Sequence, residues 1–193
     1  MELLGALFAQ GEAFIIDSMP IPVCKSVRAR RCRKINGALP SARAYFGRCA
    51  SKGWRFFGWR LHLICTPAGV PVTFHMLPGS WHDLTPIYEL TFTLPSGAYL
   101  YADKGYISSL VKRTLRPAPT FKRDGVHLVF WHKKSMKPNS FEEWCGLKTY
   151  RHLIESALSQ LEKMGIQSLH ARTNDGFSIK VLACLLALTC INL

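Results

Sequence analysis

Ala98-Tyr99-Leu100-Tyr101-Ala102-Asp103-Lys104-Gly105-Tyr106 joins a bulky run to an acid and a glycine. Tyr99, Leu100 and Tyr101 suit a pleated, buried surface. Asp103 follows them, and Gly105 permits a sharp turn. From Ile107 to Arg116 the apolar residues Leu110, Val111 and Leu115 recur at helical spacing. The stretch therefore reads as a buried strand that delivers a carboxylate to a sheet edge just before a helix. Such edges build sites in α/β sheets. The same Asp equally suits the N-cap of the helix, and the stretch alone does not choose between the two.

Upstream, Ala13-Phe14-Ile15-Ile16-Asp17-Ser18-Met19-Pro20-Ile21-Pro22 repeats the device. An apolar run enters an acid, and the prolines are expected to end the pairing. Downstream, Glu142 to Met164 is the longest helical candidate. Trp144, Leu147, Arg151, Ile154, Glu155, Leu158 and Leu161 recur there at intervals of three and four. Glu155 lies beside or within the apolar face, where an acid is costly unless paired or ligating. Arg151, one turn earlier, is a candidate partner. Gly165 suits the end of that helix.

The remaining elements fit around these. Phe56 to Cys65 and Val70 to Leu77 read as a hairpin turned by Pro67-Ala68-Gly69. His62 and His75 fall inside its strands and are left out of the site. Ser80 or Asp83 suits the cap of a short helical stretch to about Thr91. Val126 to Trp131 is a further strand, residues 132–139 a basic loop, and Phe177 to Ile191 an apolar helix.

A chain of 193 residues, 48% of them hydrophobic, suits one domain with a sizeable core. Lys and Arg number 25 against 12 Asp and Glu, a formal charge of +13. That excess points to a polyanion, either nucleic acid or an anionic membrane surface. Arg28, Arg30, Arg31, Arg33 and Lys34 cluster first, then Arg43, Arg48, Lys52 and Arg55 among Tyr45, Phe46 and Trp54. Residues 24–55 thus read as a long irregular basic loop, with cations for phosphates and aromatics for bases. The 7 cysteines show no CxxC pair, which argues against structural zinc or a disulfide framework and for reduced thiols. Met1 to Gln10 lacks the basic start of a signal peptide. The run Val181 to Ile191 falls short of the roughly 20 residues that span a bilayer, so a buried helix is expected.

Asp17, Asp103 and Glu155 can converge on one sheet edge. Three carboxylates suit a pair of Mg²⁺ ions, which take oxygen ligands and keep waters. Two such ions about 3.5–4 Å apart stabilise the attacking and leaving oxygens of phosphodiester chemistry. Without cations, carboxylates packed together would repel.

In FIIDSMPIPVC (14–24), GWRLHLICTPAGVPVTFHMLPGSWHD (58–83), YADKGYIS (101–108) and RHLIESALSQLEKMGIQSLHART (151–173) the chain resembles the DDE transposases of bacterial insertion sequences. It is closest to insertion-sequence family nine-eighty-two, over nearly all of its length from about residue 12. The resemblance implies an α/β fold, an RNase H-like mixed sheet with flanking helices. It implies that Asp17, Asp103 and Glu155 are the catalytic triad and hold two Mg²⁺ (or Mn²⁺) ions. Activated water would cut at the element's end, and the 3′-OH produced would attack target DNA. The implied partner is DNA, both element ends and target, with a homodimer open and no membrane. The implied location is the bacterial cytoplasm, at the nucleoid. Lys104 and Arg151 are expected near the scissile phosphate. Arg28, Arg30, Arg31, Arg33, Lys34 and Arg172 complete the expected DNA contacts.

Three features depart from the pattern or stay unassigned. Related enzymes carry a tyrosine three residues before the arginine and a lysine seven after the glutamate. Here those places hold Lys148 and Glu162, with Tyr150 and Lys163 nearby but out of phase. His82-Asp83 falls where relatives carry a similar pair and is given no ligand role. Relatives also have a longer segment before the first Asp. The expectation is a remnant N-terminal segment over 1–11 and a catalytic domain over 12–193, a truncated copy or a separately started fragment. An active strand-transfer domain, an inactive DNA-binding relic and a two-metal nuclease all stay open.

Overall fold

Strand β1, Ala13–Lys25, runs straight through Asp17 and organises the sheet. It pairs antiparallel with β3, Trp54–Cys65, along most of its length, and parallel with β5, Tyr99–Ala102, over Ala13 to Ile16. β5 pairs parallel with β7, Val126–Phe130, and β7 carries β6, Phe121–Arg123, antiparallel. β2, Phe46–Cys49, and β4, Pro71–Pro78, lie along successive parts of β3. The order is β2-β3-β1-β5-β7-β6, with β4 on β3. Among the described residues, two α-helices flank this mixed sheet, α1 over Phe141–Lys163 and α2 over Asn174–Asn192. This is the α/β, RNase H-like arrangement expected. The computed structural model describes residues 9–32, 42–49, 52–81, 94–106, 121–123, 125–132 and 138–193. The helices expected at 83–91 and 107–116, with His82-Asp83, Arg33, Lys34 and the Lys104 side chain, lie outside the described residues.

The apolar run of β1 is continuous because both its faces are covered. Ile15, Met19 and Ile21 join Leu61 and Leu63 under Ile154, Ala157 and Leu161 of α1 and Val181, Leu185 and Leu188 of α2. Phe14 and Ile16 face the other way, into a second core with Ile64, Val72, Leu100, Leu128 and Phe130.

Several expectations are corrected. Pro20 and Pro22 do not end the strand: they pair in register with Arg60 and Gly58. Beyond Ile16 the parallel pairing with β5 has ended, and among the described residues β1 has no strand neighbour on that side. Two prolines at alternate positions fit that side, where no N–H is needed. The basic segment 24–55 is not wholly irregular. It holds the end of β1, a 3₁₀ helix at Ser26–Arg31, another at Ala42–Tyr45, and β2. α2 is longer than the run read from the sequence. By length and composition alone its 19 residues could cross a bilayer, and only 28% of its apolar window is buried. One side packs through Phe177, Val181, Leu185 and Leu188, while Ile179 and Ile191 are exposed.

The start of α1 is fixed locally. Ser140 Oγ accepts from the Glu143 N–H, and the Glu143 carboxylate accepts from the Ser140 N–H, a reciprocal capping box. Asn139 ties this cap to the end of β7: its amide donates to the Phe130 carbonyl and accepts from the His132 N–H. Gly146 then lets the helix lie against Tyr101, since a Cβ there would fall 2.6 Å from that ring. Gly165 ends the helical segment with φ 82°, a left-handed conformation that glycine adopts without strain.

Candidate functional site

Ile16 and Ala102 are the last parallel pair between β1 and β5. Asp17 is the next residue of β1, still paired with Leu63 of β3, and Asp103 is the first residue after β5, so both acids stand at the step where β5 stops beside β1. α1 packs across this edge and brings Glu155. Asp17, Asp103, Arg151 and Glu155 line one cleft of about 110 Å³ with Ile15, Tyr101, Trp131 and Leu147.

Arg151 offsets part of the negative charge inside the cleft. Its Nε donates to Glu155 Oε1 at 2.9 Å, and its Nη1 lies 3.9 Å from Asp103 Oδ1. The guanidinium is held above its usual range, first by the Glu155 hydrogen bond, then by the Asp103 charge, with Asp17 adding to it. This cation answers the repulsion expected of converging carboxylates. The Ser18 N–H donates to Asp17 Oδ1 at 2.7 Å. Among the described residues, Asp103 Oδ1 is buried and accepts no hydrogen bond, Arg151 Nη1 at 3.9 Å being an ion-pair approach only.

The donor set suits a hard divalent cation in kind, being all carboxylate oxygen with one buried oxygen unbonded. It is not drawn tight. Among the described residues, no three His, Cys, Asp or Glu side chains are grouped closely enough to hold a metal ion. Glu155 faces the same cleft as the aspartates, but its Oε1 is taken by Arg151. Nor is Glu155 sunk in the apolar face: its side chain is 52% exposed, at the margin of that face.

The other expected contacts lie elsewhere. Arg28, Arg30 and Arg31 are exposed on the 3₁₀ helix that follows β1. Eight residues of extended chain separate Asp17 from Lys25, about 26 Å. Arg28 lines a groove of about 920 Å³ with Lys25, Trp54, Arg55 and His170, and no Asp or Glu lines it among the described residues. Lys52 is set apart from this group by its 2.7 Å ion pair with Glu162. Arg172 is exposed ahead of α2 and lines neither pocket.

Sequence reasoning missed four parts of this picture. The Ser140–Glu143 cap was visible as an S-x-x-E spacing. Trp131 on the cleft and Asn139 bonded to the end of β7 carried no local signal. Neither did the joining of Lys25, Arg55 and His170, which are far apart along the chain. A further buried contact steadies the turn after Asp103: His62 Nδ1 lies 3.3 Å from the Tyr106 hydroxyl, and the Tyr106 N–H donates to the Asp103 carbonyl.

No curated protein and no solved structure matches the chain. A family model described as Transposase DDE domain matches residues 9–175, a span that takes in the sheet, α1 and all three acids of the cleft. By that match the chain belongs to the transposase DDE domain family.

Proposed function

We propose that this domain cuts and joins DNA strands at the cleft formed by Asp17, Asp103 and Glu155. The observation that carries the reading is the meeting of these acids, far apart in the sequence, at the step where β5 ends beside β1. Family membership makes this a transposase domain with DNA as its partner. The DSMPIPVC and DKGY pieces favour insertion-sequence family nine-eighty-two. Divalent cations held by the acids, Mg²⁺ or Mn²⁺, would supply Lewis-acid stabilisation to the attacking and leaving oxygens. The chain's own groups do the positioning. The Ser18 N–H orients Asp17, and the His62–Tyr106 contact steadies the turn that carries Asp103. Arg151 offers its remaining N–H groups to a phosphate oxygen. Lys104, next to Asp103 in the chain, adds a contact near the scissile phosphate, and Arg28, Arg30, Arg31, Arg33, Lys34 and Arg172 add phosphate contacts further along the DNA.

A second reading has its own support. The Arg151–Glu155 bond leaves no ready three-ligand group, which suits a relic that binds DNA without cutting it. Nicking of supercoiled plasmid with Mn²⁺ or Mg²⁺ separates the two. Wild type nicks, and Asp103→Ala loses at least about 100-fold. Equal inertness of both proteins while bound to DNA would leave the relic. Joined strands, as against cuts alone, distinguish strand transfer from nuclease action.

A further inference from the structure

Along α1, Phe141, Trp144, Lys148 and His152 follow one another at spacings of three and four, so they share a face. That face is exposed, while Leu147, Ile154, Ala157 and Leu161 on the other side make the core contacts. Trp144 was expected among the apolar positions of the helix. Instead it is 42% exposed, and Phe141 is 79% exposed. Their rings are nearly parallel, 20° apart with centroids at 6.5 Å, and Lys148 Nζ stands 4.8 Å from the Trp144 ring centre. Neighbouring exposed aromatic rings mark a contact surface, and the Lys148 ammonium over Trp144 is a favourable cation–π contact. The face runs on into Arg151 and Glu155, and so into the acid cleft. From Phe141 to Glu155 it spans about 21 Å of helix.

We propose that this face is a track for an unpaired DNA strand. Bases stack on Phe141 and Trp144, and the backbone runs over Lys148 and His152 toward Arg151. A duplex hides its base faces within its own stack, whereas a single strand offers them to aromatic side chains. The charge is of the right sign. Glu143 is occupied by the capping box, and Glu142 lies about 100° round the helix from Phe141. A second copy of the chain is a poorer occupant, because pairing this face with itself brings the cations of both copies together. The inference rests on DNA being the partner and adds the state of the DNA, unpaired beside the cleft.

Fluorescence anisotropy with the full chain tests it, using labelled DNA that carries a single-stranded tail and a blunt duplex of the same sequence. Wild type binds the tailed DNA tighter, and the tailed DNA quenches tryptophan fluorescence more than the blunt duplex does, by an increment that Trp144→Phe removes. Phe141→Ala with Trp144→Ala abolishes the preference, with about 5- to 100-fold lost per ring, and leaves blunt-duplex affinity unchanged. Trp144→Phe keeps most of the preference, and Lys148→Glu weakens tailed DNA more than blunt. These two milder variants carry the test if the double alanine variant does not fold. A preference that survives in the variants overturns the inference. So does a wild-type dimer, seen by sedimentation, that the ring variants split. Absence of all DNA binding by wild type would instead defeat the reading on which the inference rests.

Discussion

The acid cleft and the basic groove lie toward opposite ends of β1 and handle charge in opposite ways. The cleft is small, and its three carboxylates are offset in part from within by Arg151. The groove is several times larger and is lined by Lys25, Arg28, Arg55 and His170 with no acid among the described residues. On the proposed function, the cleft would act on one phosphate. The groove would release counterions along many, giving affinity without sequence preference. On the function proposed above, the excess charge of the chain, which first suggested a polyanion, would mark where DNA is held and not where it is cut.

Damage to each region should therefore leave the other's property standing. The largest effect is expected from Asp17→Ala, which should cut plasmid nicking at least about 100-fold while DNA affinity measured by anisotropy barely moves. Arg28→Glu combined with Arg55→Glu should do the reverse. Affinity should fall about tenfold or more on every sequence, and the salt slope should flatten by about 2. Nicking at saturating protein should persist. A loss of nicking at saturation in that variant would merge the two regions into one.

Smaller effects sharpen the contrast. Ser140→Ala removes the α1 cap and should lower unfolding stability by about 1 kcal/mol, seen as an earlier urea midpoint with DNA affinity intact. Arg151→Gln leaves the acids without their cation. Because these groups are half-exposed, the cost should stay below about 1 kcal/mol, and added Mn²⁺ should recover it. The least effect concerns pH. Burial holds His75 below its ordinary value, so below about 6.5 the unfolded chain takes a proton that the folded one resists. Stability should be complete above that pH and decline beneath it. His75→Gln should flatten the decline, measured as urea midpoints at two pH values.

The acids were legible because each rests on a short-range pattern. Asp17 and Asp103 follow apolar strand runs, and Glu155 follows a helical period. What escaped was set by neighbours in space. The prolines of β1 looked like terminators because nothing local reveals that the pairing with β5 has ended there. Trp144 fitted the apolar period, yet the packed side of α1 is centred on Leu147 and Ile154, and the indole is left in water. Arg151 was expected beside Glu155 and was found there. Its approach to Asp103 needed the helix to be laid across the sheet edge.

Gly146 sets how close that helix can lie. Any larger residue would press on Tyr101, one strand position from Ala102 and two from Asp103. The gap between the acid on the helix and the acids on the strands is thus gauged by a missing side chain, and Gly146→Ala would act as a shim, widening the jaw by the thickness of one methyl group.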